Sequence, residues 1–306
     1  MPEFVARQPQ PFSERGESMR SPSKSQERRF FNALKSIVNR LKIPMMDDLI
    51  HKASTGKITP KDTEKEAKRW ISSFNFKKHV DKIVSRMVRD VQFDSSMSWR
   101  DAIRDTTNSI KLYGLIRQEM QGPVGRRVDQ LVAENSKYIS TVPKQWADYI
   151  VKYAYQEALK GKRPEEIEAE LRKIMPEKIT KNLKCIARTE CAKANAAIVQ
   201  SRAEMCGIKA YIWRSVTDER TRHAHGEMDG ILVFYNDAPN PERLFPMKGQ
   251  KPYGKYHAGN TFNCRCYQEP IVDMRFLPER MKVHMNGRIE TMTAGQIKKK
   301  FGNIAG

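Results

Sequence analysis

The chain has 306 residues, of which 39% are hydrophobic and 30% are charged, and its formal net charge is +20. This length allows two domains of ordinary size. The charge favours polyanionic partners, because neutralising phosphates releases condensed counterions, although a basic surface can also face an acidic protein. The apolar runs are too short to span a bilayer and the first residues lack a signal-peptide core, so we expect neither secretion nor membrane association.

The cysteine content indicates a reducing compartment. The chain has five cysteines, which is an odd number, and the first three lie in or at the end of one predicted helix. This arrangement is a poor framework for disulfides. The cysteines are Cys185, Cys191, Cys206, Cys264 and Cys266. We therefore expect free thiols and synthesis in a cytoplasm.

The first part of the chain divides at two points. Residues 1–29 are rich in Ser, Pro, Gln, Arg and Glu and have few apolar side chains, which predicts a disordered basic N-terminus. Residues 30–122 show apolar residues at helical spacing, and we predict a helical N-terminal domain whose first helix stops at Pro44. Gly122-Pro123 marks its boundary.

Residues 123–206 are predicted to be a helical middle region. Pro164 opens a short helix with acids in its first turn, and Pro176 starts a longer helix that Gly207 is placed to end.

The character of the sequence changes after Gly207. Tyr211–Trp213 and Ile231–Phe234 are aromatic and β-branched runs that predict strands, residues 236–260 resemble a long loop, and Cys266–Val272 predicts the last strand. We expect a small α+β C-terminal domain over 207–273 and a basic tail over 274–306. The predicted fold class is α+β, with helical N-terminal and middle regions.

Three motifs carry the polar chemistry of the C-terminal half. Ala187–Glu190 lies on the long helix, Asp218–His225 is followed by Asp229-Gly230, and Asn263–Cys266 lies farther along. A buried charge costs several kcal/mol unless it is paired, so we expect the polar residues of these motifs to form a clamp between the helix and the β region. The predicted clamp residues are Arg188, Glu190, Asn195, Asp218, Arg220, Arg222 and Asp229.

A metal site is the alternative for the same motifs. Cys264 and Cys266 lie on one face of an extended segment, and two thiolates with two imidazoles complete a tetrahedral zinc site. We predict structural zinc held by His225, Cys264 and Cys266, with His257 or else His223 as the fourth ligand. Such a staple would stabilise a small domain with few large apolar residues. Acid–base chemistry by Asp218 and His225 is a further possibility.

Basic residues near both ends suit phosphate contacts that do not depend on sequence, since they lack the interleaved aromatics of a base reader. They also fit a solvated helix face. The residues predicted to contact nucleic acid are Arg28, Arg29, Lys35, Arg40, Lys42, Lys298, Lys299 and Lys300.

With these motifs, residues 130 to 273 resemble the phage minor head (head morphogenesis) proteins, whose C-terminal domain is similar to protein F of phage Mu and to the minor head protein of phage SPP1. The resemblance implies a virion component, assembled in the host cytoplasm, with portal and capsid or scaffolding proteins as partners. It does not imply an established enzymatic activity, and we do not expect an enzyme. Members usually carry a histidine shortly before the cysteine pair. Here His257 lies seven residues before Cys264.

Function is therefore expected in head morphogenesis at or near the portal, with non-specific contact to double-stranded DNA. Two other classes remain open at this point. One is a metal-dependent nuclease or hydrolase that uses His225, Asp218, Cys264 and Cys266, and the other is a plain non-specific DNA-binding protein.

Overall fold

The structure is a computed structural model that describes residues 22–73, 75–106 and 110–306, with side chains undescribed at 41–45, 70, 71, 73, 102, 104–106, 110 and 276. The described helices are α1 (Lys24–Ser54), α2 (Thr63–Ser73), α3 (Phe76–Thr106), α4 (Ile110–Arg117), α5 (Pro123–Ser140), α6 (Val142–Leu159), α7 (Pro164–Met205), α8 (His223–Glu227), α9 (Pro241–Leu244) and α10 (Ala294–Phe301). The strands are β1 (Ala210–Arg214), β2 (Leu232–Phe234), β3 (Tyr267–Pro270), β4 (Arg280–Met285) and β5 (Arg288–Thr293).

The chain divides into two compact units, each made of non-contiguous segments. Among the described residues, one unit comprises residues 24–89 and 130–190, and the other comprises residues 90–129 and 191–306. The divisions fall within α3, α5 and α7, so they do not follow the boundaries that glycine and proline suggested near 122 and 206. Glycine and proline indicate where a helix ends, but the chain passes from one unit to the other in the middle of α3, α5 and α7, where no such residue is needed.

The helical unit is built around α1, α2 and α6, which contact one another. Their apolar residues recur at helical spacing and are buried, as the sequence predicted for α1. The buried residues of this unit include Phe30, Leu34, Leu49, Ile50, Val80, Val84, Ile150, Ala154, Ile167 and Leu171.

Three predictions for this unit need correction. Helix α1 begins at Lys24, so residues 24–29 are helical, while residues 1–21 of the predicted disordered segment lie outside the described residues. The same helix continues through Pro44, and α7 runs from Pro164 through Pro176 as one helix. An interior proline costs about 3 kcal/mol. Buried apolar faces on both sides of each proline offset that cost.

The second unit contains a mixed sheet of five strands in the order β3-β1-β2-β4-β5. All neighbouring pairs are antiparallel except β2 and β4, where Leu232 lies beside Val283 in a parallel pair. The predicted strands at Tyr211–Trp213 and Ile231–Phe234 are confirmed as β1 and β2, and Gly207, with a φ of +77°, follows the end of α7 as predicted.

Alternation along the strands gives the sheet two apolar faces. Tyr211, Trp213 and Val233 pack in one cluster with Val199 and Ala203 of α7. A second cluster contains Ile212, Leu232, Val283 and Ile297, so α10 covers the opposite face. This two-layer arrangement positions α7 on the face that also carries the candidate site.

The predicted basic tail is part of this sheet. Residues 280–293 form β4 and β5, and β3 is therefore not the last strand. Met281 and Val283 are buried, whereas Arg280 and Lys282 alternate with them and are exposed. The exposed charges gave the segment its basic composition and hid the period-two pattern. The α+β class itself is confirmed. In the described part of the chain, every helix is too short or too polar to cross a bilayer.

Candidate metal centre

A short turn and a five-residue helix position His225. The Asp218 carbonyl accepts a hydrogen bond from the Thr221 amide at 2.8 Å, and the Asp218 carboxylate accepts from the Arg220 amide at 3.2 Å. This closed turn leads into α8, on which His225 is buried. The sequence run Asp218–His225 is thus a polar turn with one inward-facing imidazole.

The cysteine pair meets this imidazole. His225 Nδ1 lies 3.5 Å from Cys264 Sγ and 3.4 Å from Cys266 Sγ, and all three residues are buried. The Cys264 sulfur also accepts the Cys266 amide at 3.4 Å. Among the residues that the structure describes, these three form the one group of metal-ligating atoms within 4.8 Å of one another.

The spacing of these atoms fits a tetrahedral metal. With Zn–S near 2.3 Å and Zn–N near 2.0–2.1 Å, tetrahedral angles place nitrogen and sulfur about 3.5 Å apart. The two measured nitrogen–sulfur distances are 3.4 and 3.5 Å. Two thiolates and an imidazole are ligands that zinc prefers. His225, Cys264 and Cys266 are therefore the residues that could hold such an ion.

The far side of the imidazole is also specified. His225 Nε2 lies 2.9 Å from the Tyr256 hydroxyl, which donates to Glu242 Oε1 at 2.5 Å. Both partners are buried, and Trp213 packs edge-on against the ring with centroids 5.8 Å apart. The second ring nitrogen of a metal-ligating histidine commonly makes a hydrogen bond of this kind, because the hydrogen-bond partner fixes the tautomer and the ring orientation.

The two thiols differ in acidity. The pKa of Cys264 lies well below its ordinary value, because the Cys266 sulfhydryl donates to the Cys264 sulfur and His225 lies beside it. The pKa of Cys266 is raised, because that same hydrogen bond and burial favour its protonated form. One thiolate is thus favoured in the pair, and a divalent cation would stabilise the second.

Two arginines join the motifs. Arg265, between the cysteines, places both terminal nitrogens 2.5 Å from the Asp218 carboxylate oxygens. Arg222 donates to the Phe262 carbonyl at 2.7 Å and lies over the ring of Tyr253. The Arg265 guanidinium holds the pKa of Asp218 far below its usual range. Asp218 and Arg222 thus link the turn before α8 to the segment that carries the two cysteines.

The structure does not bring His257 or His223 into the group of three. His257 Nδ1 lies 3.1 Å from the Tyr211 hydroxyl, which accepts the Ala258 amide at 3.2 Å. Burial lowers the pKa of His257. His223 is half exposed and lies 4.0 Å from Glu227. His257 instead fixes the loop that precedes the cysteines, a role its position in the sequence did not reveal.

The small residues of α7 have a packing role at the site. Gly259 has a φ of +81°, and a β-carbon there would lie 3.0 Å from the Cys266 carbonyl oxygen and 3.2 Å from the Ala196 β-carbon. Its nearest atoms also include the Ala192 carbonyl oxygen. Alanines on α7 and a glycine in the loop therefore allow the backbone around Cys266 to lie directly on the helix.

The remaining clamp residues have separate surroundings. Asp229 accepts the Ser215 amide at 2.7 Å and so closes the turn after β1. Arg188 lies 3.5 Å from Glu27 of α1, a partner that the sequence did not predict. Glu190 and Asn195 are buried. Arg220 is exposed and lies 4.0 Å from Asp218.

The predicted nucleic-acid residues lie on two surfaces. Arg28, Arg29, Lys35 and Arg40 are exposed on α1, and a helical repeat places them within an arc of roughly 140°. The side chain of Lys42 lies outside the described residues. The three lysines at 298–300 are exposed on α10.

Sequence reasoning missed Tyr256, Glu242 and Arg265. Tyr256 and Glu242 lie in the loop-rich segment, which has no periodicity that could mark them as buried. Arg265 could have been found, because a residue between two inward-facing cysteines of an extended segment points to the other side. An acid of the first motif was then its natural partner.

Residues 149–269 match the family model described as Phage Mu protein F like protein. A Haemophilus influenzae protein described as uncharacterized is 33% identical to the chain over 150 residues. That alignment covers 49% of this chain and 30% of the relative, so the chain spans less than a third of the relative's length. No solved structure matches the chain. The range matched by the family model includes His225, Cys264, Cys266 and their partners Tyr256 and Glu242.

Proposed function

We propose that the protein is a minor head protein that acts in phage head morphogenesis, because residues 149–269 match the family model described as Phage Mu protein F like protein. The family match carries this proposal. As a virion component, the protein would be made in the host cytoplasm and incorporated into heads near the portal. Purified heads should contain the protein, and heads produced without its gene should be defective by electron microscopy, with normal assembly restored by supplying the chain in trans.

We propose the portal, with capsid or scaffolding proteins, as the binding partners of the helical unit. Tyr155 and Leu159 support this proposal, because they are one helical turn apart on α6 and are 54% and 72% exposed. Adjacent exposed apolar side chains are typical of protein contact sites.

The test is co-purification with the portal protein after co-expression. Leu159→Glu and Tyr155→Ser should reduce the portal recovered with the full chain. Met247→Ser, at an exposed apolar residue of the other unit, is the matched control and should recover portal normally. Equal recovery with all three variants would remove this face of α6 from the proposal.

We propose that the protein also contacts packaged double-stranded DNA without sequence preference. The net charge of +20 and the exposed basic arc of α1 support this role. Binding by counterion release falls steeply as salt rises, with a slope near 0.9 per phosphate contact on logarithmic axes. The lysines at 298–300 form a second candidate surface.

Charge-matched variants test the DNA proposal. Neutralising Arg28, Lys35 and Arg40 to glutamine should lower the salt slope by up to about three. Neutralising Lys57, Lys61 and Lys65, which are exposed elsewhere in the same unit, should change it less. Binding that does not depend on salt, or equal slopes for the two variants, would contradict the assignment of α1.

We propose further that His225, Cys264 and Cys266 hold one structural zinc ion. The nitrogen–sulfur distances near 3.5 Å support this, and the burial of all three residues favours a role in stability. When bound, the ion would neutralise both thiolates and tie α8 to the segment before β3.

Metal analysis and melting test this centre. The purified protein should contain about one zinc per chain, and a chelator should lower the Tm because metal affinity contributes to folding. Cys264→Ser and Cys266→Ser should lose the metal, whereas Cys185→Ser, a thiol of the helical unit, should keep it. Metal-free protein with an unchanged Tm in chelator would refute the centre.

The nuclease alternative predicts a different result. His225→Ala or Asp218→Asn would then abolish measurable hydrolysis of DNA without unfolding the protein. The bidentate contact of Asp218 with Arg265 favours the structural role, because a carboxylate held in this way is not poised to accept a proton.

A further inference from the structure

The three candidate ligands share a cavity with a basic lining. His225, Cys264 and Cys266 border a space of about 60 Å³ that Arg220, Arg222 and Arg265 also line. This volume has room for only a few water-sized groups. The ligands therefore have a protein side, where Tyr256 and Trp213 pack on the imidazole, and a cavity side.

Among the described residues, the side chains that line this cavity include three arginines and no carboxylate, whereas the Glu242 carboxylate lies beside His225 Nε2 on the far side of the imidazole. Asp218 is paired with Arg265 by two short hydrogen bonds, which leaves the guanidinium groups of Arg220 and Arg222 as an excess of two positive charges. Arg222 is held in place through the Phe262 carbonyl and the ring of Tyr253. A divalent ion bound by two thiolates adds no net charge. The cavity consequently attracts small anions.

Thr221 and Asn263 complete the polar part of the lining. The Thr221 hydroxyl itself donates to Asp218 Oδ1 at 3.1 Å and so belongs to the turn. Neither residue carries a thiolate or an imidazole that would compete for the metal. A tetrahedral ion that is held by three protein ligands has a fourth coordination position. Because His225, Cys264 and Cys266 all line the cavity, the fourth position of a metal held by them would face the cavity.

We propose that the fourth coordination position of the metal centre opens into this cavity and takes an anionic oxygen ligand, a carboxylate or phosphate oxygen, from solution. Arg220 and Arg222 would attract the anion, and the cavity would exclude large ligands. This inference rests on the proposed metal centre. It assigns the basic residues of the first motif a role in anion selection in addition to the closure of a turn.

Cobalt(II) replacement provides a spectroscopic test. The full-length protein would be loaded with Co²⁺ in a weakly coordinating perchlorate buffer and titrated separately with acetate and inorganic phosphate at constant ionic strength. A thiolate-to-cobalt charge-transfer band reports the metal centre, and the visible ligand-field bands report the fourth ligand. We expect a saturable shift of the ligand-field bands with at least one anion, and the effective anion identifies the carboxylate or phosphate source.

Variants of the two arginines test whether their charge, and not only coordination to the metal, contributes to binding of the anion. Arg220→Gln and Arg222→Gln should each weaken the apparent anion affinity by up to about fivefold. Lys251→Gln, an exposed cation that does not line the cavity, should leave that affinity unchanged.

The outcomes are distinguishable. Absence of the charge-transfer band refutes the metal centre itself. A charge-transfer band with ligand-field bands that neither anion moves refutes the open position and indicates a fourth ligand from the chain. A shift produced by neutral imidazole but by neither anion refutes anion selection.

Discussion

Asp218 and Arg265 join the two polar motifs through a bidentate ion pair, in which both terminal guanidinium nitrogens lie 2.5 Å from carboxylate oxygens. Arg265 sits between the two cysteines, so this pair fixes the backbone that presents both thiols. The geometry is the planar fork that makes arginine–carboxylate contacts specific. The turn before α8 and the segment before β3 are thereby held together without any metal.

The first prediction concerns pH. Asp218→Asn should lower the Tm at neutral pH, and the difference from the native protein should shrink as pH falls below about 4. The sign follows from the lowered pKa of Asp218 in the folded state. A lowered carboxyl pKa contributes stability above the unfolded-state pKa, and that contribution is lost as pH falls towards the folded-state value.

Glu219→Gln is the control for this prediction, because it removes an exposed neighbouring carboxylate. Its Tm should follow that of the native protein at every pH. Melting curves between pH 7 and acid conditions measure both effects, and a Tm difference for Asp218→Asn that grows in acid would contradict the prediction.

The second prediction concerns the support of His225. Tyr256→Phe removes the hydroxyl between His225 Nε2 and Glu242, so it should lower zinc affinity about 10- to 100-fold. Competition with a chromogenic chelator measures this change. Tyr235→Phe is the matched control, since the buried Tyr235 hydroxyl has no hydrogen-bond partner among the described residues. Equal zinc affinity in the two variants would show that the Tyr256 hydroxyl does not position the imidazole.

The third prediction concerns a buried ion pair in the second unit, which contains the mixed sheet. Arg202 of α7 is fully buried, donates to both oxygens of Glu119 at 2.6 and 2.9 Å, and lies 5.2 Å from the centroid of Trp99. Glu119→Gln should lower the free energy of unfolding by about 3–5 kcal/mol, because it leaves a buried guanidinium without its counter-charge.

Urea denaturation measures this loss. The double variant Arg202→Met with Glu119→Leu should recover most of the stability, since no unpaired charge remains buried. Lys181→Ala breaks an exposed ion pair with Glu177 and should have no measurable effect. A double variant that is less stable than Glu119→Gln would indicate that the pair contributes more than it costs to bury.

The fourth prediction concerns the approach of the loop to α7. Gly259→Ala should destabilise the protein by about 1–2 kcal/mol through its positive φ and by about 1–3 kcal/mol more through contact with the Cys266 carbonyl oxygen and Ala196. Gly249→Ala isolates the backbone contribution, because Gly249 has a φ of +83° and open space around it. The two variants should differ in unfolding free energy, and equal losses would contradict close packing at Gly259.

Periodicity was sufficient to predict much of the fold. The sequence correctly predicted strands β1 and β2 from their β-branched and aromatic runs, and helix α1 from its apolar stripe. Burial on one face of an element makes apolar residues recur at the spacing of that element. Proline was less informative. Pro44 and Pro176 both lie inside helices, since packing on either side outweighs a local defect whose cost is fixed.

The candidate site could be predicted only in part. His225, Cys264 and Cys266 were identified from residue type, because few side chains can ligate zinc. The hydrogen bonds from His225 through Tyr256 to Glu242 could not be predicted, since they depend on how a loop without periodicity folds back on α8. His257 illustrates the same limit: it is a suitable residue type, but the loop directs it to Tyr211.

The parallel pairing of β2 and β4 determines when the sheet can be completed. Leu232 and Val283 are partners across 51 residues, and the cysteine motif lies between them in the chain. Until β4 has been synthesised and docked, β2 has an unpaired apolar edge, and an exposed edge of this kind is a site of misassociation. Contacts between residues so distant in sequence also form slowly. The sheet is therefore most prone to aggregation after its first three strands have formed, before the C-terminal hairpin closes against them.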